Sequence, residues 1–257
     1  MLGETLVVVS DAHLGFAPPD VETALLEFLD AVPSLGDCLL VNGDLFEFWF
    51  SYDRVIPRVG FRVAAALGAL QRRLPVVMVG GNHDRWGRTF WQRDLGLTFA
   101  PDRAELELGG RRVLALHGDQ IGYGRPRSRL LHRLVRTRLA SAVYRAIHPE
   151  LAVPLVHALA ARLGDHATSG SVVEHSVTRQ RTWAERALAE DPGLALVILG
   201  HSHRAVLEEP FPGRRYLNPG AWFDGFRYAV ATAAGAELRQ FTPSAPLRPR
   251  PAPAGRR

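Results

Sequence analysis

Side chains that could bind metal ions follow five separate apolar runs of the sequence. They are carboxylate, amide and imidazole groups, which suit manganese, iron and zinc, and no thiolate accompanies them. Seven such ligands are too many for one ion and suit two ions that share a ligand. Asp44 is the natural shared ligand, because a carboxylate has two oxygens and its strand reads as a central one. The predicted ligands are Asp11, His13, Asp44, Asn82, His117, His201 and His203.

Each of these residues has a simpler interpretation when it is taken alone. The pair Asp11 and His13 could lie in a surface turn, Asn82 could be a turn residue, and His117 could be an ordinary buried or capping histidine. What favours a shared metal site is that all of these motifs occur in one chain and follow separate apolar runs.

The elements that must position these ligands are buried strands that alternate with helices. Apolar runs predict strands at residues 5–9, 38–41, 76–79 and 194–199, a hairpin at 104–108 and 112–116, and short strands near 205–207, 215–217, 228–232 and 237–241. Apolar residues at helical spacing predict helices at 21–32 and 59–74. Because α/β sheets bind ligands beyond the carboxyl ends of their strands, we expect the metal ligands to meet at one edge.

The composition fits one large α/β domain and excludes some classes of protein. The chain has 257 residues, of which 47% are hydrophobic, and a net charge of +5, so an anionic partner is plausible but not required. The single cysteine, Cys38, excludes an intramolecular disulfide. No apolar run is long enough to span a bilayer, and the N-terminus leads straight into a strand, so we expect a cytoplasmic protein. The sequence does not indicate an oligomeric state.

Five motifs together resemble those of the calcineurin-like metallophosphoesterases. They are Ser10-Asp11-Ala12-His13, Gly43-Asp44, Gly81-Asn82-His83-Asp84, His117 and Gly200-His201-Ser202-His203. The resemblance implies an α/β fold, a four-layer α-β-β-α sandwich of two mixed sheets with metals at one edge. It implies that the first metal is held by Asp11, His13, Asp44 and His203, and the second by Asp44, Asn82, His117 and His201. It also makes His83 the general acid or phosphate-binding group, oriented by Asp84.

Finer features resemble the UDP-2,3-diacylglucosamine pyrophosphatases of lipid A synthesis. These features are residues 44–49, residues 117–119 and a helical insertion before the last motif. The resemblance implies hydrolysis of a lipid-linked nucleotide to UMP and lipid X with two divalent ions, manganese first and iron, zinc or nickel as alternatives. It also implies peripheral contact with the cytoplasmic membrane face. Many members of that group have arginine in place of His83, and residues 218–222 form a motif common outside it.

Two other functions therefore stay open. One is a soluble metallophosphodiesterase or phosphatase of broad or nucleotide specificity. The other is a non-catalytic metal-binding scaffold, against which the complete ligand set and His83 argue.

Residues 123–191 predict a helical insertion in a metallophosphoesterase domain that spans 1–242, and the Pro/Arg-rich residues 243–257 predict a disordered tail. The insertion has apolar residues at helical spacing with arginines between them. It could be additional core, or a lid for acyl chains in which Arg127, Arg129 and Arg133 lie near phosphates. Binding to nucleic acid is the weakest interpretation, because the segment lacks a pattern of aromatic and basic residues.

Overall fold

The computed structural model describes residues 2–52, 54–87, 89–122, 147–148 and 170–244, with the backbone alone at 170–172. The first part of the predicted insertion, with Arg127, Arg129 and Arg133, and the tail from residue 245 onward lie outside the described residues. None of the described helices is both long enough and apolar enough to cross a membrane.

The described segments form eleven strands and four α-helices. The strands are β1 (Thr5–Val9), β2 (Cys38–Asn42), β3 (Val76–Val79), β4 (Thr98–Ala100), β5 (Arg103–Leu108), β6 (Arg111–Leu116), β7 (Leu194–Ile198), β8 (Ala205–Phe211), β9 (Arg214–Pro219), β10 (Arg227–Thr232) and β11 (Ala236–Gln240). The helices are α1 (Pro19–Leu35), α2 (Phe61–Gln71), α3 (Asp119–Gly122) and α4 (Gly170–Glu190), with one π-helical turn at Phe90–Asp94.

The strands form two mixed sheets. The first has the order β11-β10-β1-β2-β3-β4, and the second has the order β5-β6-β7-β9-β8. Strands β1 to β4 are parallel to one another, as are β6, β7 and β9, while the remaining pairs are antiparallel. The parallel strands therefore present their carboxyl ends together, where the predicted ligands follow.

The two faces of the first sheet pack against different layers. Val7 and Val9 of β1 lie in a buried cluster with Phe28 of α1 and Leu67 of α2. The intervening residues of the parallel strands lie in a second cluster, between the two sheets, with side chains from the opposite sheet. Successive residues of these strands are thus buried on opposite faces of the sheet, which is why the strands are apolar throughout.

The outer face of the second sheet is covered by α4. Ala184 and Leu188 of this helix pack with Leu194, Val197 and Tyr216 of the sheet. The layers are therefore helices, sheet, sheet and helix, and the predicted α/β fold with two mixed sheets is confirmed.

Some element boundaries differ from the sequence prediction. Helix α2 is shorter than the predicted 59–74, and α1 extends beyond residue 32 through Pro33. The short strand Thr98–Ala100, the π-helical turn and α3 were not predicted. They contain three to five residues each, which is too short for an apolar period to be recognised.

Candidate metal centre

The predicted ligands follow the carboxyl ends of strands from both sheets. Asp11 and His13 follow β1, Asp44 follows β2, Asn82 follows β3, His117 follows β6, and His201 and His203 follow β7. Backbone hydrogen bonds join the loops within each sheet: His13 N donates to Asp44 O at 3.0 Å, and Gly200 N donates to His117 O at 2.9 Å. Between the sheets, His201 N donates to both carboxylate oxygens of Asp11 at 3.2 Å. Both sheets therefore contribute to one centre.

Five of these ligands have a left-handed backbone. The described residues include six non-glycine residues with positive φ, and only Phe226 among them is not a predicted ligand. The five are Asp11 (54°), His13 (47°), Asp44 (51°), His201 (65°) and His203 (58°). This conformation is unfavourable for residues with a Cβ atom and persists mainly where function requires it. The coincidence marks this edge of the sheets as a functional site.

Three overlapping groups of side chains could each hold an ion. Within each group the ligand atoms lie within 4.8 Å of one another; the groups are Asp11, His13 and His203; His13, Asp44 and His83; and Asp44, His117 and His201. Oxygen Oδ2 of Asp44 lies 3.9 Å from Nε2 of His13 and 3.0 Å from Nε2 of His117. Asp44 thus lies between two clusters, which is the position expected of a shared ligand.

Neighbouring acceptors orient two of the histidine rings. His13 Nδ1 lies 2.9 Å from Glu47 Oε2, and His117 Nδ1 lies 2.9 Å from the carbonyl oxygen of Asn42. Because both acceptors require a proton on Nδ1, a neutral ring at either position presents the lone pair of Nε2. Hydrogen bonds of this kind set the tautomer and orientation of metal-binding histidines.

The side chains present fit divalent cations. His13 Nε2 and Asn82 Oδ1 are buried and have no hydrogen-bond partner among the described residues, and His117 Nε2 faces the Asp44 carboxylate at 3.0 Å. Buried polar atoms without partners are costly, and two of them in one ligand set suggest that another group satisfies them. Nitrogen and oxygen donors without thiolate suit manganese, iron, zinc or nickel.

The carboxylates of the centre remain ionised. Burial is the largest single effect on the pKa of Asp44 and acts to raise it, but the charges of His117, His83 and His13, with a hydrogen bond from His117, together hold the pKa well below its usual value. Burial likewise opposes ionisation of Asp11, yet the hydrogen bond and charge of His203 lower its pKa. Burial acts to lower the pKa of His117, but the charge and hydrogen bond of Asp44, with the charges of Asp11 and Asp119, together raise it to about 10. The centre therefore strongly favours positive charge beside Asp44.

The pKa of His201, a second histidine of the centre, shifts in the opposite direction to that of His117. Burial and the charge of His117 lower the pKa of His201 to about 4. His201 is consequently a neutral ring, which is the form that binds a metal ion.

His83 lies beside His13 and Asp44, and its ring is held by a different residue from the one that the resemblance implied. His83 Nδ1 lies 2.7 Å from the carbonyl oxygen of Glu47, so Glu47 orients this ring. The two oxygens of Asp84 instead accept hydrogen bonds from Gly81 N at 2.9 Å and Leu45 N at 2.8 Å. Asp84 therefore joins the loops that carry Asp44 and the residues after β3, and its burial and the charge of Asp44 raise its pKa to about 6.

Buried amides support the loop that carries His201 and His203. Gln180 of α4 donates to the carbonyl oxygen of Gly200 at 2.9 Å, and Asn218 donates to the same oxygen at 3.0 Å. Asn218 also donates to Ser202 Oγ at 3.0 Å. Both amide side chains are fully buried, so this network anchors α4, the last helix of the predicted insertion, to the metal-binding loop.

Several supporting residues were not identified from the sequence. Glu47 interrupts the apolar run 45–50, and a buried acid in such a run was a usable signal. Ser10 contacts both Asp11 and the Asn42 carbonyl, and Gln180 lies about twenty residues before the loop it supports. Nothing in the local sequence indicates the contact of Ser10 with the Asn42 carbonyl or of Gln180 with Gly200, because each joins separate elements of the fold.

Comparison with known proteins shows which family and which relatives this chain is similar to. The calcineurin-like phosphoesterase family model matches residues 5–205. The chain is similar to a UDP-2,3-diacylglucosamine hydrolase of Aeromonas salmonicida, with 31% identity over 91% of this chain and 92% of that protein. A UDP-2,3-diacylglucosamine hydrolase of Porphyromonas gingivalis is 28% identical over 86% of this chain and 91% of that protein. A solved phosphoesterase from E. coli aligns over 93% of this chain and 100% of that chain, at 14% identity and a TM-score of 0.44.

Proposed function

This chain belongs to the calcineurin-like phosphoesterase family, and from this premise we propose that it hydrolyses UDP-2,3-diacylglucosamine to UMP and lipid X. Family membership makes the chain a metal-dependent phosphoric ester hydrolase, as its motifs predicted. The substrate is supported by the relatives, which carry this activity in their names and align over most of this chain. The proposed cofactors are two divalent cations, manganese first, with iron, zinc or nickel as alternatives.

The observation that carries the proposal is the position of Asp44 between two ligand clusters. It groups with His13 on one side and with His117 and His201 on the other. A single carboxylate shared in this way is the arrangement that a pair of cations requires, whereas one ion would use fewer ligands. Asn82 joins the proposed set through its buried, unpartnered Oδ1 atom.

The cations, when bound, supply the positive charge that draws in a phosphate group and activates water for attack on phosphorus. The residues of this chain position and balance that charge. Glu47 and Asn42 keep Nε2 of His13 and His117 available, while Asp11 and Asp44 remain anionic. Gln180 supports the loop that carries the last two histidines.

We assign His83 to the substrate. Its Nδ1 atom donates to the Glu47 carbonyl oxygen, so Nε2 is the ring atom that can meet a phosphate oxygen. A protonated His83 would stabilise the charge that develops on that oxygen or donate its proton to the leaving group. Asp84 then acts as a brace between loops rather than as the partner of His83.

Replacing His83 by Gln tests this role. Gln keeps a polar side chain but cannot donate an imidazolium proton, so the rate should fall by about 100- to 10,000-fold while metal content stays unchanged. Metal content is measured by elemental mass spectrometry and turnover by hydrolysis of a soluble aryl phosphodiester. Turnover near that of the wild type in a metal-replete H83Q protein would remove His83 from the mechanism.

The substrate is tested by mass-spectrometric turnover of a UDP-linked diacyl sugar, with the same UDP-sugar lacking acyl chains as the control. We expect UMP and the acylated sugar phosphate to be released with manganese present, and much slower turnover of the control. Equal turnover of both would instead favour the soluble phosphodiesterase. Absence of hydrolysis of any phosphoester by the metal-replete protein would favour the scaffold.

The remaining predictions belong to the same proposal. Arg127, Arg129 and Arg133, which lie outside the described residues, are proposed to contact the diphosphate of the substrate, within an insertion that covers its acyl chains. A substrate with two acyl chains resides in a membrane, so we propose that the protein acts at the cytoplasmic face of that membrane. Nucleic acid is not a proposed substrate.

A further inference from the structure

Large apolar side chains are exposed at one place beside the metal centre. The described residues include six exposed large apolar side chains, and five of them belong to residue 16 or to residues 55–61. They are Phe16 (61% exposed), Val55 (49%), Ile56 (49%), Val59 (50%) and Phe61 (50%), and we call them, with the arginines between them, the 54–62 surface. A concentration of this kind indicates an interaction site, whereas scattered apolar residues do not.

Two close contacts fix residues 59 and 60 of this surface beside the loops that follow β1 and β2. A Cβ atom added to Gly15 would lie 2.7 Å from Val59 Cγ1, so Val59 packs directly on the backbone beside Phe16. A Cβ atom added to Gly60 would overlap the ring of Phe46. The start of α2 is therefore fixed against the loop after β1.

This surface adjoins the metal centre. The backbone amide of Phe16 donates to the carbonyl oxygen of His13 at 3.0 Å. Leu14, next to that ligand, forms a backbone bridge with Phe46, which lies two residues after Asp44. Whatever contacts the 54–62 surface therefore lies close to the loops that carry His13 and Asp44.

The charge of the surface indicates which partner it fits. Residues 54–62 contain three arginines, Arg54, Arg58 and Arg62, and no acidic residue. All three are exposed, and none has an ion-pair partner among the residues that the structure describes. Valine, isoleucine and phenylalanine alternating with arginine suit a surface that is anionic outside and apolar beneath. Protein interfaces more often use tyrosine and tryptophan, which are absent from this segment.

We propose that the 54–62 surface docks the protein on an anionic lipid bilayer, with the apolar side chains entering the headgroup region and the arginines binding lipid phosphates. The inference deepens the proposed function, on which its biological purpose rests, because a membrane-bound diacyl substrate would then meet the metal centre at its entrance. Its test uses lipid vesicles alone and does not depend on that substrate.

Co-sedimentation measures the binding with vesicles of phosphatidylcholine, alone or mixed with phosphatidylglycerol. The wild-type protein should bind the mixed vesicles more tightly, and added salt should weaken this binding. Replacing Val55 and Ile56 by Ser should weaken it by roughly tenfold. Replacing Arg54, Arg58 and Arg62 by Gln should weaken it by on the order of a hundredfold, about fivefold for each arginine.

Matched controls lie elsewhere on the molecule. Leu238→Ser removes the sixth exposed apolar side chain, on β11, and Arg72→Gln with Arg73→Gln removes two exposed arginines just beyond the opposite end of α2. These variants should bind vesicles as the wild type does. All variants should keep the melting temperature and the hydrolysis of a soluble aryl phosphodiester, because the altered side chains are exposed.

Three results would overturn the proposal. The first is equal binding to vesicles with and without phosphatidylglycerol, or no binding to either. The second is vesicle binding by the 54–62 variants that equals that of the controls. The third is a wild-type dimer in light scattering that the 54–62 variants convert to a monomer, which would assign the surface to a second copy of the chain. Failure of UDP-lipid turnover with intact vesicle binding would count against the proposed function alone.

Discussion

Replacing Gly43 by Ala should disturb the metal centre, because the added methyl group would overlap the ring of His117. Gly43 precedes Asp44 and has a φ of +86°, so alanine there adopts an unfavourable backbone conformation. Its Cβ atom would lie 2.5 Å from Nδ1 and 2.7 Å from Cγ of His117. The ring cannot retreat without losing its hydrogen bond to the Asn42 carbonyl oxygen and its position beside Asp44.

Gly110→Ala is the control that separates the backbone penalty from the steric overlap with His117. It has a φ of +75°, and a Cβ atom there would meet nothing within 4 Å. Gly110→Ala should therefore cost only the backbone penalty, about 1–2 kcal/mol. Gly43→Ala should cost the same penalty plus about 1–3 kcal/mol for overpacking, or about 2–5 kcal/mol together. A domain of this size has roughly 5–15 kcal/mol of stability, so both variants should remain folded.

Urea denaturation in the presence of a chelator, monitored by tryptophan fluorescence, measures the free energy of unfolding of the two variants and the wild type. Elemental mass spectrometry of the metal-loaded proteins then measures metal content. We expect Gly43→Ala to be the less stable variant and to lose metal, and Gly110→Ala to keep its full metal content. The reasoning is refuted if the two variants have the same stability, or if Gly43→Ala binds metal as the wild type does.

Three further predictions concern the centre, its support and the core. Asp44→Asn should lose most of both cations, because it removes the charge shared by two ligand groups; elemental mass spectrometry that finds one ion retained per chain would contradict a shared role. Gln180→Leu should lower the free energy of unfolding by about 1–3 kcal/mol and weaken metal binding in a manganese titration, since its amide supports the Gly200 carbonyl; unchanged values of both would exclude this support. Burial and the neighbouring Asp37 raise the pKa of the Cys38 thiol to about 12, so a thiol reagent at neutral pH should label it only in denaturant; rapid labelling of the native protein would show that the core between the sheets is open.

Prediction from the sequence succeeded where a residue's role is readable from its own neighbours. The strands at residues 5–9 and 76–79 have the predicted bounds, and the glycine pair 109–110 joins the predicted hairpin. Each predicted ligand follows a strand, because an apolar run that ends in a polar motif already specifies a buried strand and its exit. Of the predicted helical insertion, the structure describes a helix at Gly170–Glu190, and the helices predicted before it lie outside the described residues.

Prediction was less complete where a role depends on a distant partner. Asp84 was expected to orient His83, since the two are neighbours in sequence, yet its oxygens bind the amides of Gly81 and Leu45. The ring of His83 is oriented by the carbonyl oxygen of Glu47, which is 36 residues away. Backbone acceptors of this kind carry no side-chain signature, so no motif reports them.

The sequence by itself determined which side chains could bind metal and at which strand ends they occur, because residue type and apolar period are local properties of the chain. Only the tertiary structure decided how they are arranged: Asp44 between two clusters, Glu47 behind two histidines, and Gln180 beneath the last ligand loop. The physical reason is that these contacts join separate strands and layers. Their distances follow from sheet order and packing, which no single segment of the chain contains.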